Sequence, residues 1–559
     1  MHKPLTSRTA AQALVDQLVI NGVEHVFCVP GESFLPVLDA LKASPITVTV
    51  CRHEGGAAMM AEAIGKATGK PGICFVTRGP GATNASAGIH VARQDSTPLI
   101  MFVGQVERSV REREAFQELD YRAVFGSMTK WTTEIDDADR VTEMVSRAFF
   151  TATSGRPGPV VIALPKDVLS ERSNAVNAPA FTQVETSPGA EEMTELAALI
   201  AAAERPLLVL GGSRWSPAAR EQLEAFATRT GLPIATSYRR GTMFDPLHPC
   251  YAGDLGLGPN PKLIARFKSA DLIVMLGGRL GEIPSQGYKL LESPAPQVKF
   301  VHVHPGAEEL GRVYRPELAI HASPIRFIAA LSKLDIAPRP AWRAAAEAAH
   351  ADYLAWTETA TPQPGDVNLG EMMTWLRDNA PADTILCNGA GNYASWIHRF
   401  YRFRAYMSHI APTSASMGYG MPAAIAMQRL HPDRLVLSVN GDGDFLMSGQ
   451  EFAIAVQYKL PIIVVIADNG MYGTIRMHQE REFPGRVSAT ELHNPDFAAY
   501  ARAFGGFGAT VEKTADFAAA FAAARASGMP SIIHLKIDAD AILPGATLSG
   551  IKKAALEKA

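Results

Sequence analysis

The chain has 559 residues, 47% of them hydrophobic and 19% charged, and carries a net charge of −3. That length suggests roughly three to four domains of ordinary size. Basic residues are scattered, which argues against nucleic acid or a charged membrane surface as a partner. No apolar run approaches the ~18 residues of a membrane span, and no apolar stretch follows the Met1–Arg8 segment as a signal peptide would require. Five cysteines (Cys28, Cys51, Cys74, Cys250, Cys387) lack paired spacing and read as buried thiols of a cytoplasmic protein.

In chain order the first block alternates helix and strand. Helices are expected at Thr9–Ile20, Leu35–Leu41, Gly55–Thr68 and Ala82–Arg93, and strands at His25–Val29, Thr47–Cys51, Ile73–Thr77 and Leu99–Val103. Such alternation predicts parallel strands with right-handed crossovers. A stretch short in large apolar residues, 175–188, reads as a linker. The second block has strand-like runs at Leu207–Leu210, Leu272–Leu276 and Phe300–Val303, each followed by a Gly- or Pro-bearing turn. A Pro- and Ala-rich connection, about 335–365, leads to a third block that repeats the alternation. The fold expected is α/β, three consecutive doubly wound parallel-sheet domains at 1–175, 190–335 and 365–545.

The third block carries the densest chemistry. Val436–Val439 and Ile462–Ala467 read as neighbouring buried strands bridged by a helix at Phe452–Lys459. Asp442 and Asn469 then sit just past the carboxyl ends of adjacent strands, where open α/β sheets bind ligands. A carboxylate, an amide oxygen and a loop carbonyl make half an octahedron for Mg²⁺. The competing reading of Gly441-Asp442-Gly443-Asp444 is a tight turn with Asp442 capping a helix.

These residues resemble the signature of the thiamine-diphosphate enzymes, a Gly-Asp-Gly followed one helix and one strand later by an Asn-bearing strand end. The resemblance is closest to acetolactate synthase large subunits and extends over nearly the whole chain. It implies Asp442, Asn469 and the Met471 carbonyl as Mg²⁺ ligands, with Tyr472 and Gly473 beside them. It further implies that Gly391, Asn392 and Tyr393 face the diphosphate, and that Met417 wedges under the cofactor, although a Met at a helix entry also serves as core. Glu54 would hydrogen-bond the aminopyrimidine and act as general acid–base, or else merely favour a helix dipole. Gln117 would sit beside the reacting carbon and Lys130 would bind substrate, unless both are surface polar residues. Arg279 would bind a substrate carboxylate or form a structural salt bridge.

Departures from the acetolactate synthase pattern lie on the substrate side. Glu32 stands where that pattern has a small residue and pyruvate decarboxylases an acid; it is a proton donor or a helix N-terminal acid. His478 replaces a Trp, as a proton donor or acceptor near substrate or an ordinary helix histidine. The Asp-Asp-Arg expected after Arg279 is missing, so FAD is not expected. The resemblance implies a homodimer or homotetramer with cofactor sites at the subunit interface, and an enzyme that decarboxylates a 2-oxo acid such as pyruvate and transfers the acyl unit to a second carbonyl. The alternative is a decarboxylase or other carbon–carbon lyase. A nicotinamide oxidoreductase is disfavoured, because Gly211-Gly212 and Gly277-Gly278 complete no dinucleotide fingerprint. A non-catalytic descendant is disfavoured by the presence of Glu54, Asp442 and Asn469.

Overall fold

The computed structural model describes residues 8–558. Three six-stranded sheets follow one another, each wholly parallel. In the first, the order across the sheet is Thr47–Val50, His25–Cys28, Gly72–Val76, Leu99–Gln105, Pro159–Pro165, Trp131–Glu134. In the second it is Tyr251–Leu255, Ile234–Ser237, Pro206–Leu210, Leu272–Leu276, Lys299–His304, Leu318–His321. In the third it is His409–Ile410, Ile385–Asn388, Val436–Gly441, Ile463–Asp468, Ser531–Lys536, Phe507–Val511. Numbered along the chain within each sheet, the first and third share the order 2-1-3-4-6-5, while the second runs 3-2-1-4-5-6.

Alternation builds the cores. In the second sheet Leu208, Leu210, Val274, Leu276, Val301 and Val303 enter one apolar cluster. Their neighbours Leu207, Val209, Ile273, Met275 and Phe300 enter the cluster on the opposite face. Side chains of a strand point to opposite faces, so a run apolar at every position is what a sheet covered on both sides requires. All five cysteines are buried free thiols. Among the described residues no helix is long and apolar enough to cross a membrane.

Two expectations are corrected. The helix expected to begin at Ala82 begins three residues earlier: the glycine-rich Gly79-Pro80-Gly81 is the first turn of the helix Gly79–Asp95. Proline is tolerated there because the first amides of a helix have no intrahelical acceptor. The helix expected to reach Lys459 stops at Gln457, and Lys459 takes a left-handed φ of +53°. The sequence reading also named only three strands of the second sheet; Ile234–Ser237 and Tyr251–Leu255 carry Thr, Ser, Gly and Asp and lack the continuous apolar run.

The helix Glu54–Thr68 lies against strand Gly72–Val76 so closely that a Cβ on Gly72 would come within 1.7 Å of the Ala61 carbonyl oxygen. Gly72→Ala therefore forces helix and strand apart. A loss of about 1–3 kcal/mol in chemical unfolding is expected; an unchanged midpoint contradicts this packing.

Candidate active site

The third sheet reverses its winding between Ile385–Asn388 and Val436–Gly441, and ligands of doubly wound folds bind at such a switch point, outside the carboxyl ends of the strands. A cavity of about 900 Å³ opens there. Gly391, Asn392 and Tyr393 line it from the first strand tip, Gly441 to Asp444 from the second, and Asn469, Met471, Tyr472 and Gly473 from the tip of Ile463–Asp468. Met417 and His478 complete the set. Register explains the convergence: Gly441 pairs with Ala467, so Asp442 and Asn469 leave adjacent strands within two residues of the last paired positions.

Asp442 opens the short helix Asp442–Leu446 but is not its cap, since Gly441 holds that position and no side chain caps it. Its Oδ2 accepts from Asn494 Nδ2 at 2.8 Å, and burial raises its pKa to about 6. Among the described residues no cluster of three or more His, Cys, Asp or Glu side chains is arranged for a metal. The set here is instead one carboxylate, the Asn469 amide oxygen and the Met471 carbonyl, hard oxygens that suit Mg²⁺ retaining water and phosphate ligands.

Asp444 is fully engaged with protein. Tyr393 Oη donates to its Oδ2 at 2.7 Å, while the Gly418 and Ala390 amides donate to Oδ1 at 2.8 and 3.3 Å. It thereby ties together three loops that border the cavity. The Tyr393 hydroxyl also accepts from the Gly389 amide at 3.0 Å. Burial pushes Asp444 up to about 6. From the second sheet, buried Arg239 donates Nη2 to the Gly389 carbonyl and Nη1 to the Pro412 carbonyl, both at 2.6 Å, fixing the same tip from behind. His478 is exposed on helix Gly473–Glu482, with Nδ1 3.5 Å from Arg481 Nη1. Arg279 follows strand Leu272–Leu276, half-buried, and does not line the cavity.

In the first sheet the corresponding tips carry the other candidates. Glu54 begins the helix after the second strand. Asn84 Nδ2 donates to its Oε2 at 3.0 Å, and its Oε1 lies over Gly81, where a Cβ would approach within 3.2 Å. Gln117, at φ +64°, accepts on its carbonyl from the Gly79 amide at 3.0 Å, which anchors the glycine-rich helix start. Glu32 is exposed and lies 3.4 Å from Arg78 Nη2, a pairing worth little in water. Lys130 is not brought to this edge. It precedes strand Trp131–Glu134, at the amino end of the parallel sheet, and its ammonium donates to the Ser154 carbonyl at 2.5 Å.

Sequence reasoning missed Asn84, Arg239, Asp468, Asn494, His534 and Lys536. Asn84, at the end of the Gly-Pro-Gly-Ala-Thr-Asn run that starts at Gly79, Asp468, immediately before Asn469 at a strand end, and the same-face spacing of His534 and Lys536 gave a readable signal.

Models of thiamine pyrophosphate enzymes match the chain in three consecutive pieces: the N-terminal TPP-binding domain at 8–124, the central domain at 193–331 and the C-terminal TPP-binding domain at 389–535. The acetolactate synthase large subunit of Parasynechococcus marenigrum (strain WH8102) is 32% identical over 550 residues, 95% of this chain and 87% of that one. The acetolactate synthase isozyme 2 large subunit of Escherichia coli (strain K12) is 30% identical, covering 94% and 95%. The acetolactate synthase of Bacillus subtilis (strain 168) is 29% identical, covering 96% and 94%. The chain belongs to the acetolactate-synthase-like thiamine diphosphate enzymes. In this enzyme the aligned C-terminal model spans all three strand tips around the cavity, and the N-terminal model spans Glu54, Gly81 and Asn84.

The buried Asp444 makes stability depend on pH with a definite sign. Its folded pKa, about 6, lies above the ordinary 3.8, so its contribution is fully present below the lower value and is lost as pH rises through the higher one. The unfolding free energy of wild type minus that of Asp444→Asn is expected to fall by about 2 kcal/mol between pH 4 and 6. A flat difference across that window contradicts the assignment.

Proposed function

We propose that the enzyme is a Mg²⁺- and thiamine-diphosphate-dependent carboligase acting on 2-oxo acids: it decarboxylates pyruvate or a close analogue and joins the acyl unit to a second carbonyl. The observation that carries the reading is the convergence of Asp442, Asn469 and Met471 on one cavity that the glycine-bearing tips at Gly391 and Gly441 also line. The chain up to about 175, the stretch 190–335 and the stretch 365–545 are read as pyrimidine-binding, middle and diphosphate-binding domains.

In this reading Asp442, Asn469 and the Met471 carbonyl hold Mg²⁺. The tips at Gly391–Tyr393 and Gly441–Asp444 admit phosphate close to backbone, and Met417 supports the cofactor rings. When bound, thiamine diphosphate supplies the electron sink that lets a 2-oxo acid lose CO₂ and its acyl carbon attack another carbonyl. Glu54 would hold and return a proton at the aminopyrimidine ring nitrogen; Asn84 keeps one of its oxygens occupied and leaves the other free for that role. The active unit is a homodimer or homotetramer in which Glu54 of one subunit serves the cavity of another. Gln117 and Glu32 stay candidates for the substrate side, and Arg279 for a substrate carboxylate. Flavin is left out of the reading because the Asp-Asp-Arg expected after Arg279 is missing.

A second reading, a simple 2-oxo-acid decarboxylase, is favoured by the exposed His478 on the cavity wall in place of a Trp. Mass analysis of products from pyruvate, cofactor and Mg²⁺ separates the two: acetolactate supports carboligation, and acetaldehyde alone overturns it. Glu54→Gln is expected to cut turnover by about 10²–10⁴-fold with cofactor affinity and melting temperature nearly unchanged. Near-wild-type turnover removes Glu54 from the mechanism.

A further inference from the structure

We infer that Asn494, on a strap formed by residues 490–494, is a positioning residue that sets the geometry of the metal site without touching the metal. The inference rests on the Mg²⁺ reading above.

One amide nitrogen of Asn494 serves two carboxylates, donating to Asp442 Oδ2 and to Asp468 Oδ1, each at 2.8 Å. Asp468 does not qualify as a metal ligand, because both of its oxygens are already taken. Oδ1 also accepts from the Gly470 amide at 3.1 Å, and Oδ2 accepts from His534 Nε2 at 2.7 Å and Lys536 Nζ at 2.8 Å. His534 and Lys536 lie on the neighbouring strand, opposite Ile466 and Asp468, so all four side chains share one face of the sheet. Asp468 is thus a fixed post at the strand end, and Asn494 ties Asp442 to it.

The strap controls the other two candidate ligands as well. The Tyr472 amide donates to the Thr490 carbonyl and the Leu492 amide to the Gly470 carbonyl, both at 2.8 Å. Met471 and Glu491 face each other as the antiparallel pair between those two bonds. In such a pair the residue's own N–H and C=O point away from the partner strand. The Met471 amide accordingly turns to Asn469 Oδ1 at 3.3 Å, and its carbonyl takes no part in the ladder. Farther on, the Phe497 amide donates to His534 Nδ1 at 3.3 Å, so the chain just after Asn494 is held by the same histidine that grips Asp468. The segment is anchored on both sides of the residue whose side chain reaches Asp442.

The test is calorimetric titration of Mg²⁺ into the full-length protein with thiamine diphosphate in excess, alongside melting of the metal-free protein. Asn494→Ala is expected to weaken Mg²⁺ about 10–100-fold, while metal-free melting of this half-exposed loop variant moves by less than about 2 °C. Asn494→Gln, which keeps an NH₂ donor on a longer stem, is expected to recover part of the affinity. Unchanged Mg²⁺ affinity in Asn494→Ala overturns the inference, and so does a large drop in metal-free melting with affinity intact. If Asn494→Ala does not fold, Asp468→Asn tests the same post, and affinity within threefold of wild type overturns the inference. A wild-type protein that binds no Mg²⁺ removes the metal reading itself, and the role of Asn494 with it.

Discussion

The site depends on one structural constraint, the parallel pairing of Val436–Gly441 with Ile463–Asp468. Because Gly441 stands opposite Ala467, Asp442 and Asn469 emerge side by side where the sheet ends. A slip of one residue would turn every side chain of the strand to the other face. Both strands are buried along nearly their full length, so hydrophobic burial enforces the register. The fold thus positions two polar side chains by means of residues that have no chemistry of their own.

Buried charge around those strand tips is handled by saturation with donors. Asp444 has two amides and a phenol. Burial alone would raise Asp468, but hydrogen bonds from His534, Lys536 and Asn494 outweigh it and hold its carboxyl well below the usual range. An unpaired carboxylate in such surroundings would take up a proton. Asp442, with a single side-chain donor in Asn494, has the fewest side-chain and backbone donors of the three, which agrees with its proposed place beside a cation.

Legibility in the sequence followed the strength of the local signal. The strands Val436–Gly441 and Ile463–Asp468 are valine- and isoleucine-bearing runs that lead directly into Gly-Asp-Gly and Asp-Asn-Gly, and each lay within two residues of its expected place. Asp442 and Asn469 stood out as candidates because each follows a strand end, and Glu54 because it opens the helix after one. Ile234–Ser237 was not, since Thr and Ser inside a short strand imitate a loop. Asn494 and Arg239 were invisible for another reason. Asn494 reaches Asp442 across 52 positions and Arg239 reaches Gly389 across 150, and neither stands in a pattern that announces its partner. Lys130 followed from order along the chain alone, and order along the chain does not say at which end of a strand a residue falls.

The central claim is that a divalent cation on Asp442 and its neighbours holds the cofactor by its diphosphate. Titration of thiamine diphosphate into wild type and Asp442→Ala, each with Mg²⁺ and with EDTA, measures this most directly. Tight binding in wild type with Mg²⁺ and affinity lower by about tenfold or more in the other three samples is the expected result. Equal affinity in all four would contradict the account.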